Sequence, residues 1–142
     1  MEFDTPTFIE TSNWADFGGT YAEFIEENSF PTTDITGNVI KITKTSGALT
    51  YAGSVIAILP DDGFVSSQNK VVNLNVYAPL ENTRVKLKLE DSNDASNFVE
   101  VDAYTTVGNN WEKLTFDFTD HLAKNNDAVY YNKAVLFFDY GT

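Results

Sequence analysis

The sequence lacks cysteine and contains one histidine, His121, in 142 residues. Without cysteine the chain has no disulfide bond, thiolate nucleophile, cysteine-ligated zinc or iron–sulfur cluster. One histidine also excludes a histidine-based metal cluster. No apolar run approaches the roughly 18 residues of a membrane-spanning helix, so we expect no membrane insertion. Residues 1–4 lack the basic and apolar regions of a signal peptide, so the signal of a secreted protein would lie outside this chain.

Basic residues are scarce, because nine Lys and Arg against 21 Asp and Glu give a formal net charge of −12. Such a field repels phosphate groups, so nucleic acid and anionic membrane surfaces are poor candidate partners. The first basic residue is Lys41, and eight acidic residues precede it. Clustered carboxylates without counter-ions are either solvated or gathered around a hard cation such as Ca²⁺. Both interpretations remain open.

Apolar residues recur at every second position in four runs: residues 72–77, 85–90, 99–104 and 114–118. Successive side chains of a strand point to opposite faces, so each run predicts a half-buried strand with one polar face. Residues 50–58 and 134–138 are more uniformly apolar and predict strands buried on both faces. Only residues 120–126 suggest a short helical turn.

Short strands separated by turns of Gly, Pro, Asn and Asp are typical of all-β proteins with two packed sheets. The length fits one domain, and the 42% hydrophobic and 14% aromatic residues are enough for a core. We therefore predict a single all-β domain over residues 1–142, a two-sheet antiparallel β-sandwich of the jelly-roll type.

The alternation predicts one polar sheet face that a ligand could use. Its members are Asn73, Asn75, Tyr77, Lys86, Lys88, Glu90, Glu100, Asp102, Tyr104, Thr115 and Asp117. Sugar rings stack their C–H faces on aromatic planes and share hydroxyl groups with carboxylates, amides and lysines, so this mixture suits a carbohydrate. The alternative is a solvated sheet decorated with cross-strand ion pairs.

Glu100 and Asp102 place two carboxylates on the same face of one strand, about 7 Å apart. Pairs at comparable separation hydrolyse glycosidic bonds. Residues 100–105 resemble the E-x-D-x-x-E active-site strand of laminarinase-type glycoside hydrolases, but Thr105 replaces the third acid. No G-x-S-x-G motif or Gly-rich phosphate loop is present. We expect a non-catalytic domain, with hydrolysis by Glu100 and Asp102 as an alternative.

Several segments together resemble a known family: W-A-D-F-G-G at 14–19, K-T-S-G-A at 44–48, Y-A-G-S at 51–54, N-V-Y-A-P at 75–79, V-K-L-K-L-E-D at 85–91, N-W-E-K-L-T-F-D-F at 110–118 and F-F-D-Y-G at 137–141. In this order they resemble carbohydrate-binding β-sandwich modules of families four, nine, sixteen and twenty-two. Such modules are appended to marine bacterial glycan-degrading enzymes and surface glycan-binding proteins.

The resemblance covers nearly the whole chain and implies non-catalytic binding of a polysaccharide. It favours a β-glucan such as laminarin, with alginate and xylan left open. It also implies that the domain belongs to a larger multidomain protein that is secreted or exposed at the cell surface. The family continues past a Phe-Asp-Phe-Gly segment into a further strand that ends in consecutive aspartates. This chain stops at Thr142, so it was either trimmed or is a short variant.

Matching positions suggest roles for individual residues. Tyr51 matches an aromatic residue that is often Trp in the family and is a candidate for stacking on sugar, with a core tyrosine as the alternative. Lys88 and Glu90 match polar contacts of the cleft. For Trp111 a packing role is favoured, and Trp14 is either a platform at the cleft rim or a core anchor.

The complete predicted binding set is Tyr51, Tyr77, Tyr104 and Trp14 for stacking, with Asn75, Lys86, Lys88, Glu90, Glu100 and Asp102 for hydrogen bonds. The resemblance also implies a structural Ca²⁺ near the chain termini, with Asp4 and Asp139 as ligands. Glu10, Glu26 and Asp34 are further candidate ligands.

A different functional class competes with carbohydrate binding. A structural or adhesive module, such as a virion decoration or tail domain, would have this fold without a discrete glycan site. Exposed aromatic side chains separate the two, because burial of Tyr51, Tyr77 and Tyr104 would leave no platform for a sugar ring.

Overall fold

Strands account for most of the residues that the computed structural model describes, which are 15–25, 38–59, 63–122 and 130–142. In chain order the elements are β1 (Ala15–Phe17), β2 (Thr20–Ile25), β3 (Val39–Lys44), β4 (Gly53–Ile58), β5 (Val71–Ala78), β6 (Arg84–Asp91), β7 (Asp94–Tyr104), β8 (Asn110–Asp117), α1 (Thr119–Leu122) and β9 (Lys133–Phe138). Trp14, Asp4, Glu10, Glu26 and Asp34 lie outside the described residues.

The strands pair as one five-stranded sheet in the order β1-β4-β9-β6-β7 and as two ladders, β2–β3 and β5–β8. Every pair is antiparallel. The predicted all-β antiparallel sandwich is therefore confirmed, and its jelly-roll connectivity stays a prediction. No helix in the described part of the chain is long and apolar enough to span a membrane.

The core lies between the five-stranded sheet and the β5–β8 ladder. The inward side chains of β6 (Val85, Leu87 and Leu89) contact a cluster that includes Val72, Leu74 and Val76 of β5, Leu114 and Phe116 of β8, and Ala134 and Leu136 of β9. Two β3 residues, Ile40 and Ile42, pack against the same cluster. The alternation in the sequence therefore places every second side chain of these strands in a shared core.

The polar residues expected on one sheet face lie on two faces, so that expectation was wrong. Asn73, Asn75, Tyr77, Thr115 and Asp117 belong to the β5–β8 ladder, whereas Lys86, Lys88, Glu90, Glu100, Asp102 and Tyr104 belong to the five-stranded sheet. Because both sheets direct their apolar side chains into the shared core, their polar faces point in opposite directions. Alternation identifies the side of a strand but not the sheet that the strand joins.

Two strands also differ in detail from their predictions. The polar face of β6 is only partly solvated, since Lys86 and Glu90 are buried while Arg84 and Lys88 are partly exposed. The cause is that β6 lies between β9 and β7, whose side chains flank it on both sides. The strand expected over residues 50–58 begins at Gly53, because the preceding residues form a turn closed by a hydrogen bond from Ala52 N to Leu49 O. Its burial on both faces, like that of β9, is confirmed.

We expect Leu87→Ala to lower the free energy of unfolding by about 2–5 kcal/mol, because it opens a cavity where Leu87 is fully buried. Leu80→Ala is the matched control, since Leu80 is 70% exposed, and it should change stability by less than about 0.5 kcal/mol. Urea denaturation measures both. Equal effects of the two variants would contradict the assigned core.

Candidate functional site

The outer face of the five-stranded sheet carries four of the chain's nine Lys and Arg residues. It is termed the charged face and consists of Arg84, Lys86, Lys88 and Glu90 of β6, Phe98, Glu100, Asp102 and Tyr104 of β7, and Lys133, Val135 and Phe137 of β9. The β6–β7 register places Arg84 opposite Tyr104, Lys86 opposite Asp102, Lys88 opposite Glu100 and Glu90 opposite Phe98. Four cations and three carboxylates leave a formal surplus of one positive charge on a protein whose net charge is −12.

One end of the charged face is a network centred on Asp102. Arg84 donates from Nη2 and Nε to Asp102 Oδ2 at 2.6 and 3.1 Å. The hydrogen bond to Asp102 raises the pKa of Arg84 above its ordinary value. Lys86 Nζ lies 3.2 Å from Glu100 Oε1 and 3.5 Å from Asp102 Oδ1. The Lys86 side chain is only 8% exposed, so its ammonium group depends on these two carboxylates.

The other end is a network centred on Glu90. Lys88 Nζ lies 2.9 Å from Glu90 Oε1, and Lys133 Nζ lies 3.1 Å from Oε2. The Lys88 ammonium group also sits 4.4 Å from the centre of the Phe98 ring. Burial alone would raise the pKa of Glu90, but the hydrogen bonds and charges of the two lysines lower it below its ordinary value.

Aromatic rings lie along β1, β9 and the chain end next to these networks. The Phe137 ring contacts Phe17 at 5.8 Å and Tyr140 at 5.5 Å between centroids, both edge to face. Arg84 and Lys86 lie 5.1 and 4.7 Å from the centre of the Tyr140 ring. A glycine is required at position 53, because a Cβ atom there would lie 2.7 Å from the Phe137 ring. The Tyr140 ring therefore links the aromatic residues to the charged ones.

Two tyrosines at this end are open to solvent. Tyr104 is 50% exposed and follows Asp102 on the same face of β7, and Tyr51 is 53% exposed in the turn before β4. That turn is held beside the end of β9 by a hydrogen bond from Gly141 N to Thr50 O of 2.9 Å. Both tyrosines thus lie at the end of the sheet where Arg84 begins β6.

The predicted binding residues lie on two opposite faces of the sandwich. The charged face brings together Lys86, Lys88, Glu90, Glu100, Asp102 and Tyr104, with Tyr51 at its end. Asn75 and Tyr77 lie on the opposite side of the sandwich, where the Tyr77 ring meets Trp111 at 5.6 Å.

Sequence reasoning missed Arg84, Phe98, Lys133 and Tyr140. Arg84 and Phe98 continue the alternation of β6 and β7 by one further position each, so a longer reading of both runs would have found them. Lys133 and Tyr140 are distant in sequence and reach the charged face only because β9 pairs with β6.

The predicted calcium ligands are not assembled by the described residues. Among these residues no group of three or more His, Cys, Asp or Glu side chains could hold a metal ion. Asp139 is exposed with a positive φ of 53°, and its carbonyl oxygen accepts a hydrogen bond from Lys44 Nζ at 2.8 Å. Asp4 lies outside the described residues, so a calcium site at Asp4 and Asp139 stays a prediction.

Comparisons of the chain with protein-family models, with curated proteins and with solved structures each found no match.

We expect Glu90→Gln to reduce stability at neutral pH, because it leaves Lys88 and Lys133 without their carboxylate. The folded state lowers the pKa of Glu90, so its stabilisation is present at neutral pH and is lost as the pH falls through the folded pKa. The urea midpoints of wild type and Glu90→Gln should therefore differ at pH 7 and converge in acid. Glu81→Gln, an exposed turn residue, is the control and should match wild type at both pH values. A gap that persists unchanged at acid pH would contradict the assigned ion pairs.

The calcium prediction is tested by thermal unfolding. A ligand that binds only the folded state stabilises it, so a chelator should lower the melting temperature of a calcium-loaded protein. Asp139→Asn should remove that difference. An unchanged melting temperature of the wild type with chelator would contradict a structural calcium ion.

Proposed function

We propose that this chain is a non-catalytic carbohydrate-binding module whose charged face binds an extended polysaccharide. A β-glucan such as laminarin is the leading ligand. The observation that carries the proposal is the pair of exposed rings, Tyr104 and Tyr51, at the end of a face whose charged groups are already paired with one another.

The exposed rings supply the apolar part of sugar recognition. A tyrosine presents an apolar ring together with a polar hydroxyl, which suits a surface that is partly wet. Phe98 is also exposed, six residues before Tyr104 on the same strand. At strand spacing that separates the two rings by about 20 Å. The charged face is therefore long enough for an oligosaccharide rather than a single sugar.

The ion pairs supply the polar part of sugar recognition. Lysine and arginine donate hydrogen bonds, carboxylates accept them, and a sugar hydroxyl does both. Each charged side chain is positioned by its partner before a ligand arrives, so binding costs little side-chain entropy. We expect affinities in the micromolar to millimolar range, as for a few hydrogen bonds and one or two stacked rings.

The same geometry argues for binding without hydrolysis. Glu100 is bound to Lys86, and Asp102 is bound to both Arg84 and Lys86. Neither carboxylate is presented alone to a ligand, and no third acid follows at position 105, where Thr105 donates to Leu80 O. A binding module of this kind serves a larger secreted or surface protein by holding it against glycan.

We expect affinity electrophoresis in laminarin to retard the wild-type protein and to retard Tyr104→Ala much less, because that variant loses a stacking ring. Tyr21→Ala is the matched control: Tyr21 is also 50% exposed but lies on β2, outside the five-stranded sheet. Mixed-linkage glucan, xylan and alginate gels, with a charge-matched protein, define the ligand. The purified protein should release no reducing sugar from any of them.

Retardation by no glycan would contradict the proposal and favour a structural or adhesive module, such as a virion domain. Release of reducing sugar, lost in Glu100→Gln, would instead show a hydrolase. Equal loss of retardation in Tyr104→Ala and Tyr21→Ala would show that the binding site does not lie on the charged face.

A further inference from the structure

The proposed function leaves open which part of a glycan the charged face binds. Resting on that proposal, we infer that the Arg84–Asp102 pair binds two free hydroxyl groups on neighbouring carbons of one sugar ring. The ligand class is then a neutral glycan with such vicinal diols. In a β-1,3-glucan the residue that this pair binds is then a chain-terminal or branch glucose, not an interior one.

The geometry of the pair matches a diol. Asp102 Oδ1 is buried, so Oδ2 is the carboxylate oxygen left for a ligand on a side chain that is 26% exposed. Arg84 Nη2 stands 2.6 Å from that oxygen, and the two oxygens of a vicinal diol are separated by a similar distance. One hydroxyl can accept from the guanidinium while its neighbour donates to Oδ2. Hydrogen bonds to charged groups are about twice as strong as neutral ones.

The guanidinium has donors to spare for this role. It carries five N–H groups. Among the described residues, its acceptors are Asp102 Oδ2, reached from Nε and Nη2, and Tyr140 O, reached from Nη1 at the longer distance of 3.4 Å. A ligand hydroxyl can therefore be added without breaking the ion pair.

Charge balance favours a neutral ligand over a uronate. The cations of the charged face are bound to carboxylates, and only one positive charge remains in surplus on a protein of net charge −12. A uronate carboxylate that accepted from the spare guanidinium donors would lie beside Asp102 and would be repelled by it and by the other acids of the protein. A neutral diol avoids that repulsion.

Stacking and diol binding converge at the same end of the sheet. Tyr104 lies directly opposite Arg84 in the β6–β7 register, and the Tyr140 ring lies 5.1 Å from the guanidinium. A ring stacked on Tyr104 would thus have its edge beside the Arg84–Asp102 pair.

The linkages of a β-1,3-glucan determine which of its glucoses have two neighbouring free hydroxyl groups. In a 1,3-linked glucose the C3 oxygen is substituted, so the free hydroxyls at C2 and C4 are not neighbours. Terminal glucoses and glucoses attached through C1 alone as 1,6-branches keep free hydroxyls at C2, C3 and C4. Periodate cleaves the carbon–carbon bond between such neighbouring hydroxyls and leaves the interior of a 1,3-linked chain intact.

The experiment compares laminarin with laminarin that has been oxidised by periodate and then reduced with borohydride, which removes aldehydes that would react with lysine. We expect the wild type to bind untreated laminarin at least tenfold more tightly than the treated form. Asp102→Asn should bind untreated laminarin as weakly as wild type binds the treated form. Glu23→Gln, which breaks the Lys41–Glu23 pair of 3.4 Å on the β2–β3 ladder, is the matched control and should bind like wild type.

The outcomes separate the inference from the proposed function. Equal binding of both laminarins would overturn the inference and leave the proposed function standing, while no binding of untreated laminarin or any other glycan would overturn both. Tighter binding of alginate than of neutral glucans would contradict the assignment of a neutral glycan as the ligand. Arg84→Lys, which keeps the charge but not the fork of donors, is the second variant if Asp102→Asn fails to fold. Unchanged binding by a folded variant would show that the Arg84–Asp102 pair does not bind the glycan.

Discussion

An ammonium group removed from water must be surrounded by acceptors, and Lys86 imposes this requirement on β6, an interior strand of the five-stranded sheet. Its acceptors, Glu100 and Asp102, both lie on β7. A slip of β7 by one residue would turn them toward the core and leave the lysine without a counter-ion. The ion pairs and the apolar alternation therefore specify the same β6–β7 register. That register also places Tyr104 beside Arg84, on which the proposed site depends.

The pairing of cations with carboxylates gives the charged face two properties that a face of unpaired charges would not have. The side chains are fixed in position, which reduces the entropy that a ligand must overcome. Their fields also largely cancel, so this surface is close to neutral on a strongly acidic protein. A solvated face of unpaired lysines would have attracted anions in general. A paired face instead distinguishes ligands by the arrangement of their donors and acceptors.

The strands that face a shared core were predictable, because burial on one side repeats every second residue along a strand. Ile40 and Ile42 of β3, which lie on either side of Lys41, follow the same alternation and pack against the same core. Which sheet a strand joins is decided by the path of the turns, and so Asn75 and Tyr77 were placed on the wrong face. Nor could alternation foresee the burial of Lys86, since β9 and Tyr140, which lie against it on one side, come from a distant part of the chain.

The hydrogen bond between Gly141 and Thr50 has a practical consequence for how the protein is handled. It places the last residues of the chain beside the turn that carries Tyr51, and Lys44 Nζ holds Thr142 O nearby at 3.0 Å. A peptide tag fused after Thr142 would leave the molecule next to the exposed tyrosines. A sensor surface that captures such a tag would therefore crowd the charged face. Attachment through Lys113, on the opposite side of the sandwich, would leave that face directed toward solution.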